Sequence, residues 1–388
     1  MVYARSDVRR KRKGTGMPPI NILIKPASGS CQMRCEYCFY ADEMCNRETK
    51  NYGMMKPEVQ EMMVKKGLQA AEGSITFSFQ GGEPTLVGLA FYERLLHLIE
   101  QYNTKRLQVF FALQTNGYGI TEEWAAFFAR HHFLIGISLD GPKDIHDRYR
   151  KDHKGEGTFD RVMNAIRLFK QYGVEFNVLT VVTGHTADEI GRIYKFFRKN
   201  NIVYQQYIAC LDPLGELRGK MEYSLTPEKY GQFLKRLFDL WYDDMSHKNY
   251  VYNRYFENLA GMLAGYRPET CTLLGHCMPS YVAEADGSVY PCDFYVLDDY
   301  CLGNLMTDDF ADFDRKRTEI GFVEESAKHE EECLNCPWGY LCRGGCRRDR
   351  EPEAGAGIGK NYFCRAYKVF LPYAKDRLTE IGKIWIRK

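Results

Sequence analysis

Six short runs of apolar, β-branched or aromatic residues recur through the first 210 positions, with stretches suited to amphipathic helices between them. The runs are Ile20 to Ile24, Ile75 to Phe79, Val109 to Leu113, Leu134 to Ser138, Phe176 to Val182 and Tyr204 to Ile208. Lys56 to Ala71, Ala90 to Tyr102, Asp160 to Tyr172 and Ala187 to Asn200 read as helices. Strand and helix alternating at this spacing build βαβ units, which assemble into a parallel sheet covered by helices. Turn formers follow the strands: Gln80-Gly81-Gly82-Glu83-Pro84, Gln114-Thr115-Asn116-Gly117, Asp140-Gly141-Pro142 and Asp212-Pro213. Ligand groups of parallel α/β folds collect at those carboxyl ends. Six units fall short of an eight-fold barrel, so a partial, open (β/α)6 TIM-like barrel is expected.

Thr226-Pro227-Glu228 supplies an N-cap, a first-turn proline and a first-turn acid for a helix running to about Tyr242. From about residue 250 the pattern changes. Ser280 to Tyr290, with Asp286-Gly287 in its middle, reads as a β-hairpin. Beyond it the chain is rich in Cys, Gly and charge until a last helix from about Tyr367 to Ile381. The expected division is a basic extension over 1–16, the barrel over 17–245, and a small cysteine-rich α+β domain over 246–388. A region so poor in periodic apolar faces needs staples, and its cysteines can supply them.

The net charge of +2 conceals an asymmetry. Arg5, Arg9, Arg10, Lys11, Arg12 and Lys13 crowd the first sixteen residues against Asp7 alone. That stretch has no aromatic beyond Tyr3 and no apolar segment after it, so it reads as a solvated, disordered extension, with Met17 an alternative start. No nucleic-acid partner is expected of it. No apolar run approaches a membrane span, and neither a membrane partner nor a secretory route is expected.

Fourteen cysteines without a signal segment, many at CxxC-type spacing, argue for metal ligation in a reducing cytoplasm rather than for disulfides. Cys31-x3-Cys35-x2-Cys38 offers three thiolates within eight residues. Three can hold three corners of a cubane iron–sulfur cluster and leave the fourth iron open. A second set runs Cys271-x5-Cys277-x14-Cys292, then Cys333-x2-Cys336-x5-Cys342-x3-Cys346, then Cys364. Eight ligands suffice for two fully ligated cubanes; zinc is the other reading of CxxC pairs. Cys45, Cys210 and Cys301 remain unassigned.

With Phe39 and Tyr40 after Cys38, and a Gly-Gly-Glu-Pro turn after the second strand, the first triplet resembles the signature of radical S-adenosylmethionine (SAM) enzymes. That resemblance implies a [4Fe–4S] cluster that binds SAM and yields a 5′-deoxyadenosyl radical. It also implies SAM-facing positions for Tyr37, Gln80, Gly81, Gly82, Glu83, Asn116, Ser138, Arg150 and Leu211. A glycine pair permits close backbone approach to a ligand, while taken alone it is an ordinary tight turn. The x5-x3 spacing and Gly287-x4-Cys292 resemble the SPASM extension of radical SAM enzymes that modify peptides. By that resemblance Cys271, Cys277, Cys292 and Cys346 hold one auxiliary cluster and Cys333, Cys336, Cys342 and Cys364 another, three [4Fe–4S] clusters in all.

Within that group, residues 17 to about 380 are most similar to the anaerobic sulfatase-maturating enzymes. The likeness rests on Ile24-Lys25-Pro26-Ala27-Ser28, Cys38-Phe39-Tyr40, Phe79 to Thr85, Leu113 to Gly117, Cys210 to Pro213 and Asp286 to Asp298. It implies oxidation of the Cβ of a Cys or Ser in an unfolded sulfatase's Cys/Ser-x-Pro-x-Arg segment to Cα-formylglycine. A flavodoxin- or ferredoxin-type reductant goes with it. Such chemistry needs a base for the thiol or hydroxyl proton, and Asp293 beside Cys292 matches the family's aspartate. On its own Asp293 reads equally as a solvated loop acid or a group supporting the cluster. Tyr40, otherwise a core aromatic, and Gln114 match substrate-contacting positions. Two other functions fit parts of the pattern: a maturase forming thioether or carbon–carbon crosslinks in a small peptide, and a non-catalytic zinc- or cluster-binding protein.

Overall fold

The computed structural model describes residues 19–351 and 357–386, so the basic extension and Met17 lie outside it. All six apolar runs are strands: β1 (Ile20–Ile24), β2 (Ser74–Phe79), β3 (Gln108–Thr115), β4 (Leu134–Ser138), β5 (Phe176–Val182) and β6 (Tyr204–Ala209). Each pairs in parallel with its sequence neighbour. Parallel neighbours require crossovers. These contain α1 (Phe39–Cys45), α2 (Pro57–Ala70), α3 (Leu89–Tyr102), α4 (Glu122–Arg130), α5 (Lys143–Tyr149), α6 (Phe159–Tyr172), α7 (Gly184–Asp188) and α8 (Ile190–Lys199). The single helix expected over Ala187 to Asn200 is thus two. Thr183 and Thr186 cap each other to start a short first piece, and the chain restarts at Glu189.

Strand alternation sorts the two faces of the sheet. Ile20, Ile22, Ile24, Ile75, Phe77, Phe79, Ile135, Ile137, Val178 and Val182 are buried against the helices in the main hydrophobic cluster. The intervening positions, among them Ser78, Gln80, Phe110, Ala112, Gln114, Leu134 and Ser138, are partly or well exposed. A closed eight-stranded barrel fills its interior with side chains. Here the inner face borders an open lumen.

α9 (Pro227–Ser246) starts where expected, with the Thr226 hydroxyl accepting from Lys229 N at 3.3 Å. α10 (Arg254–Leu263) follows the two-residue strand β7 (Tyr252–Asn253), which pairs with β6. The last helix begins earlier than expected, at Cys364, and runs through Pro372 to Ile386. Its Phe370 packs on Phe238 of α9 and Phe256 of α10, with ring centroids 5.8 and 5.7 Å apart.

The hairpin is present as β8 (Tyr281–Ala283) and β9 (Ser288–Tyr290), turning at Gly287, whose φ of 93° suits glycine. It does not form a separate sheet. β8 pairs in parallel with β1, β9 pairs antiparallel with β8, and β10 (Gly303–Asn304) pairs with β9. One ten-stranded sheet, ordered β10-β9-β8-β1-β2-β3-β4-β5-β6-β7, therefore runs through both parts of the chain. Among the described residues no helix is long and apolar enough to cross a membrane.

Candidate active site

Cys31, Cys35 and Cys38 lie between β1 and α1, at the carboxyl end of the sheet. Cys31 Sγ accepts from Met33 N at 3.4 Å and Asn116 Nδ2 at 3.3 Å. Burial pushes the Cys31 thiol up to about 11, and charge on Glu83 and Cys38 adds to the rise. Burial likewise pushes Cys35 up to about 12, with Cys38 and Cys31 adding and Arg150 opposing. Buried thiols that repel one another as thiolates ionise when a cation takes them, so this donor set fits an iron–sulfur cluster.

The Gly-Gly-Glu-Pro turn after β2 grips the loop that leads into these cysteines. Gln80 N donates to Ile24 O at 2.9 Å, Gly82 N to Ser28 O at 2.8 Å and Glu83 N to Ser30 O at 2.7 Å. A Cβ on Gly82 would stand 2.0 Å from Ser30 O, and Gly81 has φ +118°. The close backbone approach expected of the glycine pair is therefore made to the chain's own cysteine loop. Glu83 is fully buried and accepts from Thr85 N (3.1 Å), Thr85 Oγ1 (2.6 Å), Thr115 Oγ1 (2.9 Å) and Asn116 N (2.8 Å). These bonds tie the turn after β2 to the end of β3 and hold Asn116, whose amide reaches Cys31.

Tyr37 and Arg150 meet at Asp140, which the sequence presented only as a turn residue. The Tyr37 hydroxyl donates to Asp140, and Arg150 donates to it from Nε at 2.8 Å and Nη2 at 3.3 Å. Val181 N adds a bond of 3.0 Å. Burial works against the Asp140 carboxylate, yet Arg150 holds its pKa below the usual range. The CxxC loop is thereby moored to the ends of β4 and β5. Gln114 Nε2 donates to Ser138 Oγ at 3.1 Å across the inner face. Leu211 opens the loop after β6, and that loop reaches α1 through Leu214 N to Asp42 Oδ2 at 2.8 Å.

Asp293 follows β9 and faces the barrel. Its Oδ2 accepts from Tyr40 Oη at 2.5 Å and Gln80 Nε2 at 3.1 Å. Its Oδ1 is buried without a hydrogen-bond donor and lies 3.9 Å from Lys25 Nζ. Lys25 also pairs with Glu43 at 3.3 Å and sits over the Tyr40 ring. Burial raises the Asp293 pKa, with Lys25 and Tyr40 opposing. Burial pushes Glu43 up to about 7, Lys25 opposing and Asp293 adding. A carboxylate oxygen short of a donor can accept a proton brought by another molecule. Gln80 and Tyr40 thus converge on Asp293, while Lys25 and Glu43 were not foreseen. The available sign was a charged residue ending an apolar strand.

The eight later cysteines fall into two neighbourhoods. Burial raises Cys292, and charge on Cys277 and Cys271 adds; burial raises Cys346, and Cys292 and Cys271 add. After burial, Cys364 raises Cys333, while Cys364, Cys333 and Cys336 raise Cys342. Among the described residues no group of three His, Cys, Asp or Glu side chains is arranged around a single metal ion. Cys45 is exposed, Cys210 turns its Sγ to Leu211 O at 3.7 Å, and Cys301 turns to Gly303 O at 3.6 Å.

The chain is similar to known proteins in sequence and in fold. Residues 26–197 match the radical SAM superfamily and residues 277–337 match the iron–sulfur cluster-binding SPASM domain. A cysteine-type anaerobic sulfatase-maturating enzyme of Clostridium perfringens (strain 13 / Type A) is 47% identical over 94% of this chain and 99% of its own. A serine-type enzyme of Bacteroides thetaiotaomicron is 28% identical over 94% and 92%. The solved structure of native anSMEcpe with bound AdoMet and the Cp18Cys peptide matches with a TM-score of 0.91 at 46% identity. It covers 94% of this chain and 99% of that one.

Proposed function

The chain belongs to the anaerobic sulfatase-maturating enzymes, radical SAM enzymes with a SPASM domain, and on that premise we propose how its residues divide the work. It is a radical SAM enzyme of sulfatase maturation and uses iron–sulfur clusters and SAM. Its substrate is a cysteine in the Cys-x-Pro-x-Arg segment of an unfolded sulfatase. The higher identity to the cysteine-type relative, 47% against 28%, favours Cys over Ser.

Cys31, Cys35 and Cys38 would hold the cluster that binds SAM. Cys271, Cys277, Cys292 and Cys346 would hold a second, and Cys333, Cys336, Cys342 and Cys364 a third. When bound, these groups supply a hydrogen-abstracting radical and an acceptor for the second electron. Residues 17–245 then serve radical formation and 246–388 electron removal, with a flavodoxin- or ferredoxin-type protein as reductant. Tyr37, Asp140 and Arg150 fix the first cysteine loop, and Gln80, Glu83 and Asn116 brace it. Ser138, Gln114 and Leu211 border the SAM and substrate space.

Asp293 takes the substrate thiol proton on Oδ1 while Tyr40 and Gln80 hold Oδ2. Loss of one Cβ hydrogen atom, one thiol proton and one electron leaves a thioaldehyde. Water then replaces sulfur, releasing hydrogen sulfide and leaving formylglycine. The donor-free Oδ1 of Asp293 beside Lys25 is the observation that carries this reading.

The test is incubation of anaerobically reconstituted protein with a reductant, SAM and matched Cys- and Ser-x-Pro-x-Arg peptides. The Cys peptide should change mass from thiol to aldehyde faster than the Ser peptide changes from alcohol. SAM cleavage with neither peptide altered would end the assignment.

A further inference from the structure

Lys25 directly follows the apolar strand β1, yet it is only 2% exposed. Its stem is clamped. A Cβ on Gly81 would stand 3.1 Å from Lys25 Cβ and 3.2 Å from its Cγ, and Lys25 N donates to Ala283 O at 2.8 Å. The ammonium at the end of that stem has three N–H donors. It donates to Glu43 Oε2 at 3.3 Å and lies 4.5 Å from the centre of the Tyr40 ring. On another side is Asp293 Oδ1, 3.9 Å off, an oxygen buried without a hydrogen-bond donor. Arg47, buried further along the same seam, offers no charge there. Its guanidinium is taken up by Glu284 Oε1 at 3.0 Å, Ser28 Oγ at 3.2 Å and Lys50 O at 3.0 Å.

At 3.9 Å the ammonium and the carboxylate oxygen are too far apart for a direct hydrogen bond, and each keeps unused capacity. Two hydrogen bonds of about 3 Å that meet at about 80° on a shared atom leave their outer ends at such a separation. We propose that the shared atom is the sulfur of the client cysteine, with Lys25 Nζ donating to it while Asp293 Oδ1 takes its proton. Lys25 is then a catalytic residue of thiol activation, a role that rests on the reaction proposed above. The sulfur–hydrogen bond breaks, an oxygen–hydrogen bond forms on Asp293, and Lys25 keeps all its protons. Negative charge moves from Oδ1 to sulfur within reach of one fixed cation. A charge held in place in a dry site stabilises what develops beside it more than water does. The same pairing favours a thiol over an alcohol. A cysteine thiol ionises at about 8.5 in water and lower beside a cation, whereas a serine hydroxyl stays neutral.

The experiment reads binding without turnover. A labelled Cys-x-Pro-x-Arg peptide and its Ala-x-Pro-x-Arg counterpart are titrated by anisotropy against anaerobically reconstituted enzyme, with SAM and no reductant. The parent should bind the Cys peptide about tenfold more tightly, the worth of one hydrogen bond to a charged group. Lys25→Met should bring that ratio close to one through the Cys peptide alone. Lys25→Met combined with Glu43→Gln should do the same, and it guards against misfolding caused by an unpaired buried carboxylate. Melting temperatures near the parent's will show that the variants fold. With reductant added, peptide oxidised per SAM cleaved should fall about a hundredfold in both. The idea fails if the parent shows no preference for Cys over Ala, or if the preference survives both variants. It fails too if the two peptides weaken together, which would make Lys25 an organiser of the pocket wall. A reduced parent that cleaves SAM but oxidises no peptide would end the reaction reading instead. The Cys-over-Ala ratio, read without turnover, then decides the sulfur contact by itself.

Discussion

Beneath β2 and β3 the barrel is held by rings packed on rings, with Phe79 against Tyr92 at 5.0 Å and Phe111 against Phe133 at 4.8 Å between centroids. Between Ala327 and Asn361 the described residues bury one apolar side chain, Leu341. Polar groups do the tying there. Arg350 donates to Ser326 O at 2.7 Å, Gly359 O at 3.1 Å and Lys328 O, and Asn361 Nδ2 donates to Gly344 O at 3.0 Å. The barrel has the apolar burial that drives folding in water. The cysteine-rich segment has little of it, and a metal held by Cys333, Cys336, Cys342 and Cys364 would supply the order that apolar burial does not.

Withholding iron is the harshest way to probe that contrast. Hydrogen exchange should accelerate by about a hundredfold or more across residues 327–361, with amides of β2 to β5 unchanged. Uniform protection in iron-free protein would remove the distinction. Phe77→Ala should strike the other side, costing about 3–5 kcal/mol with or without iron, as buried Phe truncations do. Denaturant melts of the iron-free chain will show it, and a loss confined to the iron-loaded protein would contradict it.

Asp293→Asn tests the seam where the two regions meet. Peptide oxidation should fall about a hundredfold, the range for loss of a general base, while SAM cleavage continues. A parent-like oxidation rate would remove Asp293 from the chemistry. The smallest effect concerns Glu43. Its folded value of about 7 exceeds the ordinary 4.5, so the folded state holds the extra proton between those values. Stability must therefore fall as pH rises through that window. Glu43→Gln should flatten this dependence, and melting temperatures from pH 4 to 8 that run parallel to the parent's would refute it.

β1 to β6 were legible because each is a strand with one face on the core, and alternation is a local signal. The pairing of β8 with β1 was not. Tyr281, Val282 and Ala283 are all buried, so they show no alternation, and their partner lies some 260 residues away. The glycine pair announced a close approach without saying to what, since a ligand and a folded-back loop make the same demand. Asp293 stood out through family likeness and its place beside Cys292; as a loop acid it reads no differently from Asp298, whose Oδ2 merely accepts from Glu48 N. Lys25 and Glu43 escaped because a buried ion pair is a relation between distant residues.

Lys25 N donates to Ala283 O at 2.8 Å, so the loop bearing Cys31 and the hairpin leading to Cys292 leave adjacent strands of one ladder. That has a bearing on exchange of parts among relatives. The cysteine-rich portion looks detachable in the sequence, yet a chimera must keep Ile22 opposite Tyr281. A slip of one residue would turn every side chain of β8 to the wrong face. The segment that seems most portable is joined at the place least forgiving of a frame shift.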